Sequence, residues 1–133
     1  MIFVGIDVSK AKHDCCIIDS NGSVITNSLR VDNSKEGFER LYSTILSALN
    51  SKDLRNVKIG LESTGHYSTN ITNYLYSKGF QVHTLNPLAT NLFVRPEPLG
   101  KLKQIKLTPK SLRLCSFLMN LNPIHQYHIR FKS

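Results

Sequence analysis

Apolar positions in this chain recur first with a period of two and then with a period near four. Residues 2–8, 13–19 and 23–32 are apolar or alternating runs rich in β-branched side chains, the pattern of strands. Ser20-Asn21-Gly22-Ser23, between the second and third runs, reads as a hairpin turn because Asn and Gly tolerate positive φ. Asn33 with Glu36 three residues on is a capping-box start, and Phe38, Leu41, Ile45, Leu46 and Leu49 then fall at helical spacing, which predicts a helix over 34–50. A polar loop from Ser51 to Asn56 leads into a strand at 57–62. Tyr67, Ile71, Tyr74 and Leu75 share one face of a second helix, with Gly79 where a C-cap glycine belongs, and 80–85 form a fifth strand closed by Asn86-Pro87.

The order is β-β-β-α-β-α-β. A three-strand meander followed by two right-handed crossovers gives a mixed sheet of order 3-2-1-4-5, an α/β, ribonuclease H-like arrangement. The first and fourth strands are then parallel neighbours, roughly 4.8 Å apart. Each ends in an acid: Gly5-Ile6-Asp7-Val8-Ser9-Lys10 and Gly60-Leu61-Glu62-Ser63-Thr64-Gly65. Asp7 and Glu62 therefore meet at the carboxyl edge, at the reversal of strand order where open α/β sheets bind ligands. Strand side chains alternate, so Gly5 and Gly60 share a face with these acids and leave open space beside them.

Paired carboxylates suit a divalent cation such as Mg²⁺ or Mn²⁺, which can activate a nucleophile and stabilise a leaving oxygen in phosphoryl transfer. Two acids are only half of such a site, and beyond Glu97 the sequence has no Asp or Glu. Plainer readings stand beside this one. Asp7 can simply end its strand and bond the following backbone, and Glu62 can be a favourable charge at the start of the next helix. Ser63-Thr64-Gly65 reads as a helix cap before a phosphate cradle, Tyr67 as core, and His125 and His128 as tail residues without a third ligand. Cys15 and Cys16 point to opposite faces of a strand as fillers. With Cys115 they make an odd count, which argues against a disulfide framework and for a reduced, cytoplasmic setting. No run approaches the ~18 apolar residues of a membrane span, and no charged leader with a cleavage site marks the chain for export.

The formal charge of +8 changes the picture through its location. Through Phe93 the chain has nine Lys/Arg against eight Asp/Glu, whereas from Val94 onward it has eight against Glu97 alone. Proline stands at 87, 96, 98, 109 and 123, and no long amphipathic period survives. Leu112 to Leu121 could form a helix, but nothing clearly caps or pairs it. The expectation is a patterned domain over 1–93 and a poorly packed, irregular basic tail over 94–133. Lys10, Lys101, Lys103 and Lys106 are the candidate nucleic-acid contacts.

Three motifs carry a family resemblance. Gly5-Ile6-Asp7-Val8-Ser9-Lys10, Glu62-Ser63-Thr64-Gly65-His66-Tyr67 and Val82-His83-Thr84-Leu85-Asn86-Pro87 resemble, in order and separation, the amino-terminal domain of insertion-sequence family 110 transposases. These are DEDD-type recombinases related to pilin-gene invertases. The resemblance implies DNA as substrate, Mg²⁺ or Mn²⁺ as cofactor, and Asp7 and Glu62 as the first two metal-binding, catalytic acids. Complete members carry two more acids in a Lys-Thr-Asp-Lys-x-Asp-Ala motif and a carboxyl-terminal serine domain, and some use a guide RNA. Neither the second acid pair nor the serine domain is found here. Lys103-Gln104-Ile105-Lys106-Leu107-Thr108-Pro109-Lys110 admits codons that, read one nucleotide earlier, give Lys-Thr-Asp-Lys-Thr-Asp-Ala-Lys, and flanking stretches admit family-like readings in the same frame. The expectation is a frameshift near Phe93–Val94.

The resemblance thus implies a DNA transposase or recombinase domain, truncated and inactive alone. The alternative is a nucleic-acid-binding module, or a partner of intact transposase subunits, without catalysis. Sugar-kinase and actin-like ATPases also open on a Gly-Ile-Asp strand. Their phosphate loop needs glycine after the acid, where this chain has Val8-Ser9.

Overall fold

The structure is a computed structural model, and it describes residues 1–62, 65–92 and 109–121. Strands β1 (Ile2–Asp7), β2 (Lys12–Asp19) and β3 (Val24–Asp32) form the expected meander, followed by α1 (Lys35–Ala48). A 3₁₀ turn (Leu54–Asn56) enters β4 (Val57–Glu62), then α2 (Thr69–Ser77), β5 (Val82–Leu85), α3 (Pro87–Leu92) and α4 (Lys110–Met119) follow. The sheet runs β3-β2-β1-β4-β5, with β1 antiparallel to β2 and parallel to β4. Gly5 pairs with Gly60 and Ile6 with Leu61, which brings the two acid-bearing strand ends into register.

One face of the sheet is the one the periodicity described. Val4, Ile6, Ile17, Ile59 and Leu61 alternate inward against Leu41 and Ile45 of α1 and Ile71 and Leu75 of α2, all of them buried. Local details differ from expectation for identifiable reasons. Ser34, not Asn33, caps α1: its extended backbone lets the hydroxyl accept the Gly37 N–H at 3.2 Å. The Asn33 side chain instead donates to the Lys10 carbonyl at 3.1 Å, tying the β1–β2 turn to the helix entrance. Leu46 lies one residue, and so about 100°, around the helix from buried Ile45, and it is exposed. Helix α2 begins only at Thr69, which leaves Tyr67 outside it and 44% exposed rather than in the core. Ser63 and Thr64, read as caps, lie outside the described residues, and Ser68 takes the N-cap position.

The opposite face corrects a larger expectation. Residues 109–121 do not form an irregular, poorly packed segment: α4 lies on β1, β2 and β4, and Leu114, Cys115 and Leu118 are buried against Phe3, Cys16, Ile18 and Leu85. The physical reason is a narrow stripe. Ser111, Leu114, Cys115 and Leu118 repeat at three and four residues, and the small Ser111 and Cys115 let the helix backbone settle over Gly5. Gly5 and Gly60 accordingly do not border open space. A Cβ on Gly5 would sit 2.2 Å from the Ser111 carbonyl oxygen, and one on Gly60 3.3 Å from Leu118. The rest of 94–133 lies outside the described residues. All three cysteines are free and buried, and among the described residues no helix is long and apolar enough to cross a membrane.

Candidate functional site

Alternation puts Asp7, at the end of β1, on the α4 side of the sheet, and Glu62, at the end of β4, on the same side. The structure brings these two together through a residue the sequence reading did not single out. The Lys110 ammonium, in the first turn of α4, pairs with Glu62 Oε1 and lies 3.9 Å from Asp7 Oδ1. The Glu62 side chain is only 4% exposed, and its other oxygen, Oε2, accepts a hydrogen bond from the Thr90 hydroxyl at 2.7 Å. Thr90 arrives on α3, which starts at Pro87, where the missing N–H costs nothing and φ is already helical. Asn86 helps to close that start by accepting the Leu88 N–H at 2.9 Å.

A third carboxylate was also missed. Asp14 pairs directly across from Asp7 in the β1–β2 ladder, a like-charge placement that is unfavourable without a counter-ion. Its Oδ2 accepts from Ser111 Oγ at 3.2 Å and its Oδ1 from Ser28 Oγ at 3.1 Å. The signal was present in the alternation of Asp14, Cys16 and Ile18 on one face, read together with the hairpin register. Burial pushes the Asp7 carboxyl above its ordinary value, Lys110 opposes that rise, and Asp14 and Glu62 add to it. The first turn of α4 thus meets three acids with one ammonium, one hydroxyl and the positive end of the helix dipole.

The predicted basic contacts are scattered. Lys10 is exposed in the β1–β2 turn, while Lys101, Lys103 and Lys106 lie outside the described residues, as do His125 and His128. A polar depression of about 270 Å³ opens beside Asp7, lined also by Ser9, Lys12, His13, Asp14 and Arg30. His13 is buried, stacks on Phe38 with ring centroids 6.2 Å apart, and accepts the Ser9 N–H at Nδ1 over 3.2 Å.

Burial lowers the His13 pKa below the ordinary value, with Asn33 and the Asp7 charge acting the other way. The unfolded chain therefore takes up a proton at this residue near pH ~6.5, before the folded chain does. Stability is expected to be flat above that pH with respect to His13 and to fall as the pH drops below it. Urea midpoints compared between neutral and mildly acidic buffer should show that loss, and His13→Phe should reduce it. An unchanged slope in the variant would place the acid sensitivity elsewhere.

The family model for the DEDD transposases of insertion-sequence 110 elements, described as transposase, matches residues 4–104. The chain belongs to this family. Among curated proteins, nothing matches the sequence. Two solved structures share the fold. Thermus thermophilus RuvC in complex with a Holliday junction substrate superposes with a TM-score of 0.58 at 14% identity, over 100% of this chain and 97% of that one. A second Thermus thermophilus RuvC structure gives 0.55 at 15%, over 100% and 98%. This DEDD transposase chain is a transposase- or recombinase-type domain with a ribonuclease H-like fold.

The family and the fold imply divalent-metal use in general. As arranged around Lys110, the described residues of this DEDD transposase do not fit such an ion. No group of three or more His, Cys, Asp or Glu among them is arranged to hold one, and the Lys110 ammonium already pairs with both Asp7 and Glu62.

Proposed function

We propose that this chain is a DNA-engaging domain of a DEDD transposase that does not cut or join DNA by itself. The observation that carries this reading is the ion-paired state of Asp7 and Glu62: both acids are engaged by Lys110, and among the described residues only Asp14 stands nearby as a further carboxylate. Asp7 and Glu62 are the family's first two acids on this reading, and the remaining pair would have to come from a region where the sequence has no Asp or Glu. DNA as the partner is supported by family membership, by the junction substrate held by the structurally similar RuvC, and by the net charge of +8. Lys10 and Arg30, both exposed at the rim of the acid-bearing edge, are the described residues suited to phosphate. We assign Lys101, Lys103 and Lys106 the same role on charge alone.

The purified chain is expected to bind duplex and four-way-junction DNA with strong salt dependence. Contacts to about three phosphates would weaken binding roughly 40-fold between about 50 and about 200 mM salt. Asp7→Ala should leave that binding intact, and Lys10→Ala should weaken it and flatten the salt slope. Incubation of labelled junctions with Mg²⁺ or Mn²⁺ should leave every strand whole. Metal-dependent cleavage abolished by Asp7→Ala would overturn the proposal, and a structured RNA binding more tightly than DNA at equal salt would move the assignment to a guide-RNA partner. A complex with intact transposase subunits is the other role open to such a domain.

We further propose that residues 94–133 are read out of the family's frame, although the family match itself runs on to residue 104. The genomic sequence around codon 94 tests this. The alternate frame should yield the two-aspartate motif and then a serine-containing domain or its remains. Immediate stop codons in that frame would refute it.

A further inference from the structure

Three features lie outside the fold's ordinary packing: the exposed edge strand β3, the buried Cys16–Cys115 contact and the first turn of α4. Nothing in the structure says what would cover β3, where Val24 and Ile25 are exposed, and the two thiols require an oxidant that the structure does not supply. The α4 turn carries the argument.

We propose that Lys110 is a built-in counter-ion that holds the position of a divalent cation, so that the Lys110 contact and cation binding at Asp7 and Glu62 exclude one another. This rests on reading Asp7 and Glu62 as the family's acid pair. The ammonium touches Glu62 Oε1 and lies 3.9 Å from Asp7 Oδ1, so it meets the same oxygens an ion bridging β1 and β4 would need. A carboxylate as buried as Glu62 needs a positive partner, and Thr90 supplies only a neutral donor to Oε2. The partner is delivered by a seated element. Ser111 bonds Asp14, and Leu114, Cys115 and Leu118 fix α4 to the sheet. Arg113, one turn on, adds positive charge that acts on Asp7.

The occupancy is reversible by construction. Lys110 is 37% exposed and ends a flexible four-carbon stem, so it can withdraw to water without unseating the helix. A divalent ion entering with Lys110 in place meets a like charge about 4 Å away, which opposes binding even at the effective dielectric of a protein surface. By linkage, the factor by which the Lys110 contact weakens cation binding is the factor by which a bound cation weakens the Lys110 contact. Lys110 thus acts on the acid pair as an autoinhibitory contact.

The test is Mn²⁺ binding, read as free ion by paramagnetic resonance at fixed pH and ionic strength. Lys110→Met is expected to bind Mn²⁺ at least about tenfold more tightly than the wild type, since it removes a like charge from about 4 Å. Adding Asp7→Asn or Glu62→Gln should abolish the gain, and Mn²⁺ should raise the melting temperature of Lys110→Met but not of the wild type. Lys110→Arg, which keeps the charge, should remain as weak as the wild type. Equal affinity in wild type and Lys110→Met overturns the proposal, as does tight binding by Lys110→Arg. Should Lys110→Met not fold, the wild type alone decides: tight Mn²⁺ binding lost in Asp7→Asn refutes the counter-ion role, and weak binding upholds it. DNA binding measured in chelator tests the proposed function separately, because it involves no divalent ion.

Discussion

Gly5→Val should lower the stability of the chain by about 3–5 kcal/mol and lift α4 from the sheet. A Cβ at Gly5 would lie 2.2 Å from the Ser111 carbonyl oxygen, 2.8 Å from the Cys115 nitrogen and 3.0 Å from its sulfur. Two of these are backbone atoms, which cannot rotate away. β1 cannot retreat either, because it is paired on both sides, to β2 and β4. Ordinary overpacking costs about 1–3 kcal/mol. Here relief requires the helix to move, and the buried Leu114 and Leu118 would forfeit up to ~1.5–3 kcal/mol each of burial. Urea unfolding measures the loss, and limited proteolysis within 109–121 reports whether the helix has detached. Wild-type stability with that segment still protected would mean that α4 does not rest on β1.

This close approach marks where sequence reading stopped working. The α1–α2 face was legible because its apolar residues repeat over long spans: Phe38, Leu41 and Ile45 on one element, Val57, Ile59 and Leu61 on another. Strand order followed from the hairpin turn at Asn21-Gly22 and the two crossovers, and it placed Asp7 beside Glu62 on one face of the sheet. Strand alternation alone reads Gly5 and Gly60 as open space beside the acids, the reverse of the close packing they permit. A glycine in a strand can mark empty space or close backbone approach, and only the position of α4 distinguishes them. That helix shows just ten residues, Lys110–Met119, with a four-residue buried stripe containing Ser and Cys, too short and too polar a period to stand out after four prolines and a run of lysines.

The site divides in the same way. Asp7 and Glu62 were readable because each closes an apolar strand. Asp14 was readable in principle from the hairpin register and was overlooked beside Cys15 and Cys16. Lys110 was not readable, because its role depends on a contact 48 residues from Glu62 in the chain, and a lysine after a proline in a basic segment resembles any solvated charge. Thr90 likewise has meaning only once Pro87 starts a helix instead of ending a strand.

The energetic standing of the Lys110–Glu62 pair gives the second large effect. Removing one partner of a buried ion pair costs about 3–5 kcal/mol, whereas replacing both with neutral groups of similar shape is often harmless. Exposed pairs contribute only about 0–1 kcal/mol. This pair is mixed: Glu62 is 4% exposed and Lys110 37%. Water at the lysine end moderates the loss, so Lys110→Met alone should cost about 2 kcal/mol, below the fully buried range. In Glu62→Gln combined with Lys110→Met, the amide oxygen can still accept from Thr90 and no buried charge is stranded, since Asp7 is about a third exposed to water. The double variant should therefore return to within about 1 kcal/mol of the wild type, a coupling energy well above that of independent sites. Chemical unfolding of the wild type, both single variants and the double variant measures it directly. Additive single effects would reduce the contact to a surface pair, and Glu62 would then be held mainly by Thr90. A large coupling would show instead that the buried acid depends on the helix-borne ammonium, which is the condition for Lys110 to hold a cation's place.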